Sequence, residues 1–430
     1  MSNVVTEMAQ ALTERAASID ENRKYLSGRQ PLAYMSKVAR DATKMGRMAT
    51  NLPRLQVTAL AERLRVTDLS VDGVRDRALW VAYRANDLDQ RLPVAFREAL
   101  GLGSSYAIVW DSTGRAEPKV SIESASNVVI ETDPGTGETV RAFKRWTARN
   151  TSFGVLYEPD VVRRFESSSA GATVGWREQS SIPNPLGVVP VVEFRNSDWL
   201  GGPGVSEIED MKPLVDALNK ILADMMVGSE YYARPRRWAT GVEMGTDDEG
   251  NAVNPFPEGD RMMIAEDVQA RFGSLPASDL GSYEAAVKII VGQIMAVSAL
   301  PAHYLGSLTG QVPGADGLRA AEASLSARAE SKQHQFGRSV EAVGRLMEGI
   351  RREVDPDSVA VRVRWADPAT RSVAQEADAT VKLHAAGLLP TDYALAKLGY
   401  DADQIGDIRL ARRAEAADRL VLQPRQVTQE

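Results

Sequence analysis

The chain has 430 residues, with 51 Lys and Arg against 58 Asp and Glu, a formal net charge of −7, and no cysteine. Its length allows about two or three domains with sizeable cores. The acidic balance argues against a protein that grips nucleic acid electrostatically, and the lack of cysteine excludes disulfides, thiolate nucleophiles and Cys-ligated zinc.

No apolar run reaches the roughly 18–20 residues needed to cross a bilayer. The N-terminal MSNVVTEMAQALTERAASIDENRK has no signal-peptide core. The chain therefore reads as soluble, not secreted by a standard route and without a membrane partner.

Residues 1–104 read as helical, with Val57, Leu60 and Leu64 marking one apolar edge. From 105 to 200 the character changes. SSYAIVW, KVSIES, NVVIET, RAFKRWTA and VVPVVEF are short β-branched or aromatic runs, broken by DSTG, DPGTG and NPLG turns. This predicts a mixed antiparallel β region packed on helices, followed by a hinge or linker at Leu200–Gly204.

A helix is then expected from Ser206, capped by Ser206 with Glu209. Ile208, Met211, Val215, Leu218, Leu222 and Met225 make its apolar face, and Glu209, Asp216, Lys220 and Asp224 its polar face. Pro213 falls inside this pattern and should bend the helix or mark a second start. Residues 234–276 lose the helical period. There RRWATGVEM and RMMIAED read as strands around an acidic, turn-rich excursion. A second helix is expected over about 280–298, with Glu284 and Lys288 turned away from its apolar edge.

Pro301, Tyr304, Leu305 and Gly306 build a turn that opens a Gly/Pro-bounded loop. After it, 315–353 reads as one helix about 58 Å long at 1.5 Å per residue. Leu318, Leu325, Phe336, Val340, Val343, Met347 and Ile350 supply its apolar stripe. Its solvated faces are assigned to residues that include Glu322, Arg328, Glu341, Arg345 and Glu348, and Gly337, Gly344 and Gly349 should weaken its C-terminal part. A strand at 360–365, three shorter helices and a disordered QPRQVTQE tail complete the chain; Ser372 with Gln375 caps the first of those helices, Gly387 stops it, and Thr391 caps the second.

Catalytic constellations are missing. There is no GxxxxGK[ST] motif, so the chain is not expected to be its own motor. GLGSS at 101–105 precedes a strand instead of opening a helix, and GSLTG at 306–310 lacks the central Ser of a nucleophile elbow. His303, His334 and His384 lie on different elements, without metal-ligand spacing. Asp247, Asp248 and Glu249 start a stretch that Ala252, Val253, Pro255 and Pro257 spoil as a calcium loop, which leaves a solvated hairpin tip. No catalytic residue, metal or cofactor is expected.

The order of the segments resembles the portal, or head-tail connector, proteins of siphophages. The matching residues are Tyr25 and Gly28, Trp80 with Asn86-Asp87-Leu88, and GSSYAIVW at 103–110. NPLGVVPVVEFRN at 184–196, the turn Pro301–Gly306 and Ala320, Ala321, Glu322, Leu325, Lys332, Phe336 and Gly337 follow, with Trp365, Asp367 and Pro368 last. Each motif is weak alone; their shared order is specific.

The resemblance implies an α+β portal fold, mostly helical. Its parts would be an N-terminal wing over 1–204, a first stem helix over 205–233, an α/β clip over 234–276 and a second stem helix over 277–298. A channel loop over 299–314, a long wing helix with a strand over 315–371, and a helical crown and tail over 372–430 would follow. It implies a ring of about twelve copies at one capsid vertex of the virion, assembled in the host cytoplasm, through which double-stranded DNA passes. Terminase large subunit, head-tail adaptor, major capsid and scaffold proteins are the implied partners.

On this reading Ser307, Thr309 and Gln311 face DNA from the loop. Glu209, Asp216, Lys220, Asp224 and Lys288 line the stem, and Asp247, Asp248 and Glu249 dock the motor. Two other readings remain: a different structural virion or scaffold-like protein with helical arms, and a nucleic-acid-processing hydrolase. The hydrolase would need carboxylates converging on two metals.

Overall fold

The computed structural model describes residues 2–34, 48–111, 117–233, 237–242, 245–246, 249–253, 267–274, 281–306, 315–369 and 373–421. The chain divides into two compact units. One comprises Met1–Gln30, Asn51–Lys212 and Met295–Glu430; the other comprises Pro31–Thr50 and Pro213–Ile294.

The larger unit begins with α1 (Ser2–Leu26) and α2 (Leu52–Ala61). A small antiparallel hairpin follows, β1 (Val66–Val71) and β2 (Val74–Arg75). It interrupts the stretch expected to be all helical. Its two-residue turn, Asp72-Gly73, has both residues at positive φ, 52° and 80°, the geometry that closes tight hairpins. α3 (Arg77–Ala85) and α4 (Leu88–Leu102) come next.

The β-rich region forms two sheets. β3 (Ser104–Asp111), β4 (Pro118–Ser124) and β10 (Val191–Arg195) make a three-stranded sheet in the order β10-β3-β4. β5 (Val128–Thr132), β6 (Thr139–Ala148), β7 (Thr151–Tyr157), β8 (Val161–Ser167) and β9 (Arg177–Pro183) make a five-stranded antiparallel meander. β7, β8 and β9 escaped sequence reading because Ser, Arg and Glu dilute their apolar alternation; all seven residues of β9 are exposed.

Helix α1 covers the meander. Val5, Met8, Ala9 and Leu12 are buried with Phe143, Leu156, Phe165 and Trp176. Arg145 ties the two together by donating to Ala9 O at 3.2 Å and Thr13 Oγ1 at 3.1 Å.

The long helix α7 runs Ala315–Arg352, within a residue of its expected end and about 57 Å long. The strand after it, Val361–Trp365 (β15), returns to pair antiparallel with β1, Leu69 opposite Val363 and Val71 opposite Val361. The glycines on α7 expected to weaken it have another use. A Cβ at Gly344 would lie 2.8 Å from Val361 Cγ1, so glycine lets the strand cross close to the helix. Four aromatics from four elements meet at the centre: Phe96 stacks on Phe336 at 5.5 Å, with Phe194 at 5.6 Å and Trp365 at 5.6 Å.

Three expectations about helix starts change. Glu209–Met211 is a turn of 3-10 helix, and α5 (Lys212–Ala233) begins after it. Pro213 therefore sits in the first helical turn, where its missing N–H costs nothing, and marks the second start that its place in the pattern allowed. Ser206 is no capping-box residue of α5; its hydroxyl donates to Gly101 O at 2.6 Å. Pro390, not Thr391, is the N-cap of α9 (Thr391–Lys397). The remaining C-terminal helices are α8 (Val373–Ala385), which stops before Gly387 at φ 72°, and α10 (Ala402–Val421).

In the smaller unit α5 is followed by two short pairings. β11 (Arg237–Thr240) pairs antiparallel with β14 (Arg271–Ser274), and β12 (Gly245–Thr246) with β13 (Ala252–Val253). Most of RMMIAED, the second expected strand, lies outside the described residues. α6 spans Gly281–Ser298.

Candidate functional site

Two features concentrate the chemistry: the polar faces of α5 and α6, and the turn that joins the end of α6 to α7. On α5, Lys220 pairs with Asp224 one turn later; Asp216 is half-buried and engaged. On α6, Lys288 Nζ lies 2.7 Å from Glu284 Oε1 with both side chains largely exposed. The hydrogen bond from Lys288 holds the Glu284 carboxyl below the ordinary carboxylate value. At the start of α5, Lys212 is buried between Glu21 and Glu209, 2.9 Å from each. Every lysine of α5 and α6 is thus in an ion pair, and neither helix contains arginine. Such helices have no spare cation with which to hold a phosphate.

Glu209 precedes α5. It lies on the 3-10 turn in the larger unit, bound to Lys212, while Asp216, Lys220 and Asp224 follow on α5. Glu249 is exposed between the paired β12 and β13. Asp247 and Asp248 lie outside the described residues, as do Ser307, Thr309 and Gln311.

The turn after α6 is held by a network that sequence reading missed. Ala299 takes φ 57°, Pro301 is extended, and Ala302–Leu305 forms a 3-10 turn closed by Gly306 at φ 67°. Arg328, about a third of the way along α7, donates to Val297 O at 3.2 Å and Ser298 O at 3.3 Å. It therefore places a cation on the last carbonyls of α6, where a helix C-terminus favours one.

Glu322 was expected on a solvated face and is instead buried. Its carboxylate lies 3.3 Å from Arg63 Nη2 and 3.3 Å from His303 Nε2. Arg63 also donates to Tyr304 Oη at 3.4 Å and Ala59 O at 2.9 Å. One turn further along α7 than Arg328, Lys332 binds Glu207 at 2.7 Å and Asp198 at 3.1 Å. Glu341 and Glu348, also expected to be solvated, are buried. Glu341 meets Arg338, Arg362 and the Val363 amide, and Glu348 meets Arg351 and Arg352.

Arg63 and Glu322 are separated by 259 residues, so no local signal marks that pair, whereas Arg338, Arg351 and Arg352 lie within one turn of their carboxylates. Among the described residues no group of three or more His, Asp or Glu is placed to hold a metal ion, and no helix is long and apolar enough to cross a membrane.

One known family matches nearly the whole chain. The family model described as phage portal protein, SPP1 Gp6-like, matches residues 7–418. The chain belongs to the phage portal protein family. The portal protein of Mycobacterium phage L5 is 27% identical over 433 residues, covering 96% of this chain and 88% of that one. The portal protein of Mycobacterium phage D29 is 28% identical over 389 residues, covering 85% and 79%.

A chain of the virion of a native gene transfer agent particle shares the fold. It has a TM-score of 0.51 at 13% identity, covering 89% of this chain and 93% of that one. The expected α+β portal fold is therefore the fold of this portal-family chain.

Proposed function

We propose that about twelve copies of this chain close into a ring at one capsid vertex of the virion and form the channel through which double-stranded DNA enters and leaves. In this reading α5 and α6 are the stem, 234–276 the clip, 299–314 the channel loop, 1–204 with α7 and β15 the wing, and 372–430 the crown and tail. Asp216, Lys220, Asp224 and Lys288 face the bore with the loop residues Ser307, Thr309 and Gln311. The tip Asp247–Glu249 docks the terminase large subunit during packaging and the head-tail adaptor afterwards, while the wing meets capsid and scaffold proteins during assembly in the host cytoplasm. The chain does no chemistry on its cargo.

One observation carries this reading beyond family membership: every lysine of both stem helices is engaged by a carboxylate. A bore that moves DNA should repel or ignore phosphate, since each tight Lys or Arg contact traps the polymer electrostatically. Paired lysines with excess carboxylate meet that requirement.

Electron microscopy of the purified protein tests the ring directly. Annular particles with a central hole are expected; monomers or filaments would overturn the proposal. Charge reversal at Asp247, Asp248 and Glu249 should leave the rings intact and impair packaging. Bulky replacements at Thr309 should change DNA translocation or retention without changing ring size.

A further inference from the structure

The loop at 197–204 is the segment first read as a hinge, and the structure makes it a pinned display. Its ends are clamped together: Val205 N donates to Asn196 O at 2.6 Å, and Asn196 Nδ2 donates to Val205 O at 2.7 Å. A Cβ at Gly204 would lie 2.1 Å from Gly103 O, so the backbone packs there with no room for a side chain. Helix α7 holds the rest. Gln335 donates to Ser197 O at 2.8 Å, and buried Lys332 reaches Asp198 at 3.1 Å. Ser197 Oγ then bonds Trp199 O at 3.0 Å and accepts from Trp199 N at 3.2 Å.

The product of all this anchoring is two adjacent apolar side chains in solvent. Trp199 is 76% exposed and Leu200 fully exposed. Exposed single apolar residues need no explanation, but a Trp-Leu pair on an immobilised loop has a cost and no folding benefit. Loop ordering is a main penalty of association, and here it is already met in the free chain.

We propose that Trp199 and Leu200 are the anchor by which one copy of this chain grips the next. This rests on the ring reading above. The occupant follows from charge and shape. Each copy carries −7, so long-range electrostatics oppose self-assembly and apolar contacts must drive it. A projecting pair needs a differently shaped recess on its neighbour. Such a contact is heterologous, the type that closes rings. Trp is also the residue type most often found as an interface hot spot.

The anchor is connected to the joint. Lys332, which holds Asp198, shares Glu207 with Arg328, and Arg328 holds the last carbonyls of α6. Seating the knob therefore loads the same side chains that fix the turn before the channel-loop segment.

The test compares wild-type protein with a Trp199→Ala, Leu200→Ser variant by mass photometry over a concentration series. The variant should need about 30-fold or more protein to form rings, the loss expected for an interface hot spot. Its circular dichroism and thermal unfolding as a monomer should match wild type, because neither side chain is buried in the protomer. A second arm places p-benzoylphenylalanine at Trp199 and illuminates assembled rings, which should yield covalent dimers. Rings forming at the wild-type concentration, or no cross-link within rings, would overturn this proposal alone. Failure of wild-type protein to form rings at all would overturn the ring reading, and this inference with it.

Discussion

Replacing Glu322 by Gln tests whether the joint is held by charge. The carboxylate lies 3.3 Å from Arg63, and the two side chains are only 12% and 10% exposed. Removing one member of a buried pair costs about 3–5 kcal/mol, because the other charge stays buried without compensation. Arg63 keeps Tyr304 Oη and Ala59 O as acceptors, and Gln still offers a carbonyl. The expected loss is therefore smaller, about 2–3 kcal/mol.

Urea unfolding of the protomer, followed by far-UV circular dichroism, measures it as a shift in midpoint at constant slope. Arg63→Met should cost a similar amount, since it strands the carboxylate beside His303. The double variant Arg63→Met, Glu322→Leu should cost less than either single change, because a matched apolar pair leaves no orphaned charge. A double-mutant cycle closed with the Glu322→Leu single variant should give a coupling of about 2–3 kcal/mol. A single Glu322→Gln cost below about 0.5 kcal/mol, the usual range for surface changes, or strict additivity in the cycle, would refute the argument that this pair fixes the turn.

Other expectations follow from the same geometry. Asp76 caps α3 through the amides of Ala78 and Leu79 at 2.8 and 2.9 Å and lies 2.8 Å from Arg352. Burial raises its pKa, but the Leu79 amide, Arg351, the Ala78 amide and Arg352 outweigh burial and leave it lowered. A lowered carboxylate stabilises the fold above its unfolded value of about 3.9 and loses that contribution as pH falls through the folded value. Asp76→Asn should therefore flatten the acid limb of a stability-versus-pH curve below about pH 4, and an unchanged limb would count against this assignment.

Ala299→Gly should stabilise by a few tenths to about 1 kcal/mol, since left-handed φ strains alanine by more than glycine's extra chain entropy; a lower melting temperature would contradict it. Gly344→Ala should destabilise by about 1–3 kcal/mol through overpacking against Val361, visible as a lower urea midpoint.

Much of the architecture was legible because it is local. Helix α7 declared itself by an apolar stripe sustained from Leu318 to Ile350, and the Lys220–Asp224 and Glu284–Lys288 pairs lie at the four-residue spacing that helices make adjacent. What failed was anything that depends on distant partners. Glu322, Glu341 and Glu348 fell at spacings that look solvated, and only the fold brings Arg63 and Arg362 to the first two. β1 hid in a helical block because its pairing partner β15 lies almost 300 residues away. Leu200–Gly204 looked like a linker because Gly and Pro mark both free and tightly packed backbone. The contact of Gly204 with Gly103 separates the two cases.

The electrostatics of the chain sort into two uses, and their separation is the argument for a conduit. Along α7 buried carboxylates fasten the helix to other elements: Glu322 to Arg63 after α2, and Glu341 to Arg362 on β15. At its end Arg351 and Arg352 bridge Glu348 to Asp76, the cap of α3. On α5 and α6, Lys220 and Lys288 instead pair with carboxylates of their own helices, and Lys212 at the start of α5 holds Glu21 and Glu209. The first arrangement resists movement, and the second leaves no lysine of either helix unpaired. A frame that must not deform and a surface that must not hold are what a passage for a polyanion requires. A chain built to bind DNA would instead spend its arginines and lysines on the cargo.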